Sequence, residues 1–189
     1  MAAMPSPPSP SAGPWPCVLT TPRLTLRPAE PADAPEYTRL WTDPEVRRFL
    51  GGPVAQDLLP AYRRHFADRP YLFTVVTRRE ATVLGSVSID PESRFGGRRE
   101  VSYSFLPEHW GRGCAREAVT AAVGWAFDHV PSDDPSVIAV TQEANSRSRR
   151  LLEALGMRPA GGFVEWGAPQ CMYSIERPAL VGEPGAPVT

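Results

Sequence analysis

The chain has 189 residues, 42% of them hydrophobic and 22% charged, with a formal net charge of −1. That length suits one domain. The near-neutral balance supplies no global basic field for nucleic acid or an acidic membrane, and the longest apolar runs are far too short to span a bilayer. Cys17, Cys114 and Cys171 are too few and too scattered for a disulfide framework or a zinc site, and fit a reducing cytoplasm. The N-terminus lacks a charged start followed by an apolar core, so no signal peptide is read there. All 20 basic residues are Arg, which reads as composition bias and carries no function.

Residues 1–17 are rich in Pro, Ser and Ala and bury too little apolar surface to offset the entropy of ordering them, so a disordered tail is expected. Residues 178–189 read the same way, leaving one folded domain over residues 18–177. Within it a first strand is expected over Leu24–Arg27. Helices follow at Pro31–Trp41 and Pro44–Leu50, the second capped by Asp43 with Pro44 at its first position and stopped by Gly51, Gly52 and Pro53. A third helical stretch covers Asp57–Ala67. Strands come next at Tyr71–Thr77, Val83–Ile89 and Glu100–Leu106, the last alternating Val101, Tyr103 and Phe105 against Glu100, Ser102 and Ser104. Phe95-Gly96-Gly97-Arg98 fits the turn of an antiparallel hairpin. The strongest helix runs from Ala115 to Val130, where Ala118, Val119, Ala122, Val123, Ala126 and Phe127 form one apolar stripe. A strand at Ser136–Thr141, a helix at Ser146–Leu155 ended by Gly156, and strands at Gly161–Glu165 and Cys171–Glu176 close the chain. This order demands a mixed α/β sheet with helices on both faces.

The strongest local signal for chemistry is Trp110-Gly111-Arg112-Gly113-Cys114-Ala115, between a strand and the longest helix. Glycines let a backbone approach a ligand closely. The first turn of a helix leaves N–H groups open at the positive end of its dipole, so the pair can cradle a diphosphate, with Arg112 and Arg116 adding charge-assisted contacts. An ordinary strand-to-helix turn would also need the glycines. The loop is neither a P-loop, since the Lys-Ser/Thr ending is absent, nor a dinucleotide fingerprint, since the third glycine spacing is missing.

The run from Arg99-Glu100-Val101-Ser102-Tyr103 to Glu117-Ala118 resembles the acetyl-CoA motif of GNAT N-acetyltransferases, with Gly113 and Ala115 matching its loop pattern and Trp110 standing where Arg or Gln is usual. That departure recurs in the RimJ/RimL-type subgroup, named for acetylation of ribosomal-protein N-termini. Thr21-Pro22-Arg23-Leu24-Thr25-Leu26-Arg27, Asp43-Pro44-Glu45-Val46, Asn145-Ser146-Arg147-Ser148 and Leu155-Gly156-Met157 are similar to that subgroup as well. The resemblance runs from Leu19 to Arg177. It implies the GNAT fold, a central mixed, mostly antiparallel, splayed sheet of about seven strands flanked by helices. It also implies acetyl-CoA as co-substrate with no metal, direct transfer to a primary amine in a ternary complex, and a monomer or homodimer.

Within that resemblance the diphosphate falls on Gly111, Arg112, Gly113, Cys114, Ala115 and Arg116. The pantetheine arm falls along Tyr103, Ser104, Phe105 and Leu106 as an added strand, with Asn145 and Ser148 beside it. A main-chain N–H of the same strand stabilises the developing oxyanion. Glu100 is a candidate general base, beside the small Ser102 and Ser104; it is equally able to pair with Arg98 or Arg99. One carboxylate suffices for an α-amine, whose pKa lies near ~8 against ~10.4 for Lys. Glu165 is the competing acid, holding a water, or else a solvent-facing strand residue. Asn145 is placed to cap its helix. Ser148 shares the inward stripe of Leu151, Leu152 and Leu155. It stands either as proton donor to the departing thiolate, since the family's usual Tyr is replaced by Leu152, or as a hydroxyl bonded back to the helix. Cys114 as an acyl carrier and His109 as a lone base are weaker readings, and the tryptophans read as core or pocket wall.

Two alternatives stand beside a protein N-terminus as acceptor. One is a small amine, polyamine or antibiotic, favoured by Asp33, Glu36, Asp43, Glu45 and Asp57 if these face the site. The other is a non-catalytic acyl-CoA sensor on the same fold.

Overall fold

The computed structural model describes residues 14–177; of the expected tails at 1–17 and 178–189, residues 1–13 and 178–189 lie outside the described residues. Eight strands form one sheet in the order β1-β2-β3-β4-β5-β6-β8-β7. They are β1 (Leu19–Thr20), β2 (Leu24–Pro28), β3 (Leu72–Thr77), β4 (Val83–Asp90), β5 (Arg99–Phe105), β6 (Ser136–Gln142), β7 (Arg158–Glu165) and β8 (Ala168–Glu176). The extra strand relative to expectation is β1, whose two residues are too short to show any periodicity. Every neighbouring pair is antiparallel except β5 and β6.

Helices α1 (Ala34–Thr42), α2 (Pro44–Arg47), α3 (Leu59–His65), α4 (Cys114–His129) and α5 (Ser146–Ala154) flank the sheet. Ala118, Val119, Ala122, Val123, Trp125 and Ala126 bury the α4 stripe against Leu26, Val75, Val87, Val101 and Val137. Leu152 of α5 joins the same core. A second cluster, built on Tyr37, Leu40, Phe66, Leu72 and Leu106, seats α1 and α3.

Several boundaries move for local reasons. Pro31–Asp33 is one turn of 3-10 helix, and α1 begins only at Ala34. Asp43 caps α2 through Oδ1, which accepts from the N–H groups of Glu45 and Val46. That helix stops at Arg47, whose guanidinium donates to Gly52 O at 2.9 Å and Leu50 O at 2.6 Å and closes the turn. β7 and β8 are longer than expected because a tight turn at Trp166 and Gly167, with φ of 48° and 71°, joins them directly. Trp15 and Cys17, assigned by composition to the tail, pack on the core. The Trp15 ring meets Phe73 edge-on at 5.0 Å and Trp125 at 6.3 Å, which gives this stretch the apolar anchor its Pro-rich composition hides.

Candidate active site

β5 pairs with β6 at only two positions, Arg99 with Val137 and Glu100 with Ile138. Beyond them the strands part, so Val101 to Phe105 remain paired to β4 alone and offer a free edge to the opening. Gly85 holds the other side of β5 close: a Cβ there would lie 2.2 Å from Ser104 O. A cavity of about 1130 Å³ runs along this seam, reaching from the aromatic wall of Tyr37, Trp41, Tyr62 and Phe66 to the start of α5.

The glycine loop closes one end. Gly113 precedes α4 with φ of 75°, a left-handed conformation that disfavours a side chain, and among the described residues no side chain caps the helix, so the first N–H groups of α4 stay open there. The indole of Trp110 anchors the loop by donating to Phe105 O at 2.7 Å. From below, the Thr21-Pro22-Arg23 segment holds both loop and helix. Glu117 Oε1 accepts from Thr21 Oγ1 at 2.6 Å and Arg23 N at 2.9 Å, its Oε2 accepts from Arg23 Nε at 2.6 Å, and Arg23 Nη1 donates to Arg112 O at 2.9 Å. Burial alone would raise the Glu117 pKa, but these partners hold it below the ordinary value. Motif spacing suggested no such function for Thr21 and Arg23, because the contact spans more than ninety residues of chain.

Glu100 lies on a polar face shared by two strands, where Ser86 faces Ser104, Ser88 faces Ser102 and Asp90 faces Glu100. The sequence exposed only the β5 half of this face; alternating serines of β4 carried the rest. Glu100 does not pair with Arg98 or Arg99. Arg98 donates to Phe95 O at 2.9 Å, while the buried Arg99 points to the opposite face and donates to Ala126 O at 3.1 Å and Asp134 O at 2.8 Å. Burial pushes the Glu100 carboxyl above its ordinary pKa, the nearby Asp90 and Glu165 charges add to this, and Arg94 opposes it.

Glu165, at the end of β7, is gripped by both terminal nitrogens of Arg94. That ion pair holds its carboxyl below the ordinary pKa. Trp166 beside it is exposed, with the Arg94 guanidinium 5.8 Å from its ring, and belongs neither to core nor to pocket wall.

Ser148 does not bond back to its helix. Its Oγ meets the Tyr103 hydroxyl at 2.7 Å, across the seam, while its N–H donates to Asn145 Oδ1 at 3.2 Å and so completes the α5 cap. Burial pushes the Tyr103 pKa up to about 12. Leu152 is fully buried and fills the core. Cys114 and Ala115 line the helix start half-buried, and His109 sits in the 3-10 turn before the loop. Of the five helical-region acids, Asp33 is locked by Arg27 and Thr74, and Asp43 caps α2; Glu45 reaches the cavity. The described residues contain no group of three or more His, Cys, Asp or Glu able to hold a metal. No helix among them is long and apolar enough to cross a membrane.

The acetyltransferase (GNAT) domain family model matches residues 23–158. An uncharacterized N-acetyltransferase, p20, of Bacillus licheniformis is 27% identical over 150 residues, covering 76% of this chain and 83% of its own. Among solved structures, an acetyltransferase (GNAT family) from Bacillus anthracis has a TM-score of 0.74 at 22% identity, covering 84% of this chain and 98% of its own. Spermidine N-acetyltransferase from Vibrio cholerae, in complex with CoA and spermine, has a TM-score of 0.69 at 20% identity, with 82% and 96% covered. Ribosomal-protein-S5-alanine acetyltransferase from Vibrio fischeri has a TM-score of 0.61 at 21% identity, with 84% and 96% covered. At these identities the structural likeness is one of fold.

Proposed function

This chain belongs to the acetyltransferase (GNAT) domain family and is an acetyl-CoA-dependent acyltransferase; from that premise we propose that it acetylates a primary amine, a protein N-terminal α-amine in the manner of the RimJ/RimL-type enzymes, with Glu100 as base. The observation that carries this reading is a half-buried carboxyl at the point where the sheet opens, without a hydrogen bond or ion pair among the described residues, and a hydroxyl pair, Tyr103 of β5 and Ser148 of α5, that spans the opening.

Bound acetyl-CoA supplies an activated acyl thioester. Its diphosphate fits the open N–H groups of Gly113 to Arg116, which no side chain among the described residues answers, with Gly111 and Arg112 completing the loop. Its pantetheine arm fits the free edge of β5 at Tyr103, Ser104 and Phe105 and on to Leu106, with Asn145 and Ser148 beside it. Glu100 takes the proton of the incoming amine; a carboxyl with a raised pKa is better matched to that transfer than an ordinary one. Glu100 is preferred to Glu165 because Arg94 already engages both oxygens of Glu165 and lowers its basicity. A main-chain N–H of β5 donates to the carbonyl oxygen as charge builds there. Ser148 Oγ–H then protonates the departing sulfur. Tyr103, kept protonated by its raised pKa, donates a hydrogen bond to Ser148 Oγ in turn; the serine regains its proton from solvent in the open seam, where Glu100 releases the proton taken from the amine.

An α-amine suits a single carboxylate base, since its pKa lies near ~8. The cavity is long and walled by aromatic rings, which suits an extended terminus. The neighbour named for ribosomal protein S5 has the same fold. One observation favours a second acceptor, a small polyamine: Glu45, Asp90 and Glu100 all line the cavity, and the Vibrio cholerae neighbour is named for spermidine.

Thiol release from acetyl-CoA with N-terminal peptides, polyamines and aminoglycosides as acceptors tests the proposal. Fastest turnover with a peptide bearing a free α-amine supports it, and loss of that turnover when the amine is blocked assigns the site of transfer. Fastest turnover with spermidine moves the assignment to the second acceptor. No release with any acceptor overturns both.

A further inference from the structure

Trp110 does more than anchor the glycine loop. The guanidinium of Arg147, in the first turn of α5, stacks over the Trp110 ring with its central carbon 4.1 Å from the ring centroid. Both residues line the cavity, from opposite sides of the seam. Among the described residues Arg147 makes no hydrogen bond and no ion pair, so all five of its donors are available. Its side chain is exposed and long, and would ordinarily sample many rotamers. The indole face, itself pinned through its N–H to Phe105 O at 2.7 Å, selects one of them. The positive end of α4 is uncapped close by, at the other end of the same loop. Two sources of positive potential thus face one opening, and the acids nearest in chain are engaged elsewhere: Glu108 with Arg39 and Glu117 with Arg23.

We propose that Arg147, held in place by Trp110, is a phosphate-binding residue that grips the diphosphate of coenzyme A from the α5 side of the seam. The inference rests on the coenzyme assignment above and adds a second wall to the cradle. A guanidinium whose face is spent on an aromatic ring still presents its edge, and that fork matches two phosphate oxygens at once. The main-chain amides of α4 and the Arg147 fork then close on the diphosphate from two elements that flank the opening. Trp110 acts as a positioning residue: it contributes no donor to the phosphate, since its N–H is already committed.

Calorimetric titration of the full chain with coenzyme A, 3′-dephospho-coenzyme A and pantetheine tests this without reference to turnover. Arg147→Ala is expected to weaken coenzyme A and 3′-dephospho-coenzyme A alike, by roughly ten- to a hundredfold for a lost charged contact, and to leave pantetheine unchanged. Trp110→Leu is expected to move both nucleotides in the same direction by less, and Trp110→Leu with Arg147→Ala together to cost less than the product of the two, because one variant removes what the other positions. Trp110→Phe, which keeps an aromatic face, is expected to retain most of the affinity. Wild-type affinity of Arg147→Ala for coenzyme A overturns the inference. So does an equal loss for pantetheine, which would mark Arg147 as a support of α5, and so does a loss confined to coenzyme A, which would place Arg147 on the 3′-phosphate. A wild-type chain with no affinity for coenzyme A fails earlier, at the family's cofactor, and takes both readings down.

Discussion

Two carboxyls on the two halves of this sheet meet burial in opposite ways. Asp33, where the 3-10 turn meets α1, is almost wholly buried. Burial by itself would raise its pKa, yet the outcome is a lowered one, because Arg27 grips both oxygens at 2.8 and 2.6 Å, Glu30 N donates at 3.0 Å and Thr74 Oγ1 at 2.8 Å. Glu100, on β5, is less buried and has no such set; its pKa rises, through burial first and then its acidic neighbours. The first half of the molecule saturates its charge, and the seam leaves one unsatisfied. A half-buried carboxyl without a hydrogen-bonding partner works against the fold, and its place where the sheet parts accords with the role proposed for it.

The largest test of that contrast is Glu100→Gln. Turnover is expected to fall by roughly 10²- to 10⁴-fold, with coenzyme A affinity unchanged in a direct titration. Stability should move the other way. A carboxyl whose folded pKa is raised binds its proton more tightly in the folded state, so its contribution turns unfavourable as pH rises from the ordinary carboxylate value through the raised one. Glu100→Gln is therefore expected to melt above wild type at neutral pH, with the gap closing below about pH 4. Equal melting temperatures at both pH values would mean the carboxyl is answered after all.

Asp33→Asn is the mirror experiment and the next in size. Removing the buried member of this ion pair leaves Arg27, among the described residues, only the exposed Glu30 carboxylate at 3.6 Å as ion-pair partner and is expected to cost about 3 kcal/mol at neutral pH, read by denaturant unfolding. The sign with pH is reversed. A lowered folded pKa adds stability above the ordinary value and loses it as pH falls through the lowered one, so wild type and Asp33→Asn should converge in acid. Opposite pH slopes for the two variants would be the signature of the contrast, and parallel slopes would break it.

The parts of this molecule legible in the sequence were those set by local spacing. The α4 stripe, the Asp43 and Asn145 caps and the alternation of β5 all follow from residues within a few positions of one another. Glu100, Ser148 and the glycine loop stood out because their residue types are odd for where the pattern puts them. What stayed hidden depends on distant pairs. The resemblance implies a place for Tyr103 along the pantetheine arm, but its hydroxyl contact with Ser148 joins a strand to a helix forty-five residues on. Trp15 anchors a stretch whose prolines resemble a tail. Trp110 departs from the loop pattern in the sequence itself, and only the fold brings Arg147 to its face.

The hydroxyl pair sharpens the seam side of the comparison. Ser148→Ala is expected to lower turnover roughly ten- to a hundredfold, a smaller loss than at the base because water can reach a thiolate once the seam opens. Tyr103→Phe, which leaves Ser148 in place, is expected to cost only several-fold. A solvent isotope effect on turnover that shrinks in both variants would tie the two hydroxyls to one proton path; a loss of stability with turnover intact would make them a strut across the opening.

The smallest expected effect lies at Arg23, and it shows how the two halves are joined. Its side chain is half exposed, so its ion pair with Glu117 is worth little as stability, about 0–1 kcal/mol. Its bond to Arg112 O nevertheless fixes the loop that presents the α4 amides. Arg23→Ala is therefore expected to leave the melting temperature within a few degrees of wild type while weakening coenzyme A several-fold, because a looser loop must be ordered at the moment of binding. A melting temperature that drops with affinity unchanged would assign Arg23 to the saturated half of the sheet alone. The expected split, affinity without stability, would make the Thr21-Pro22-Arg23 segment the point where the closed half of the molecule holds the open one in register.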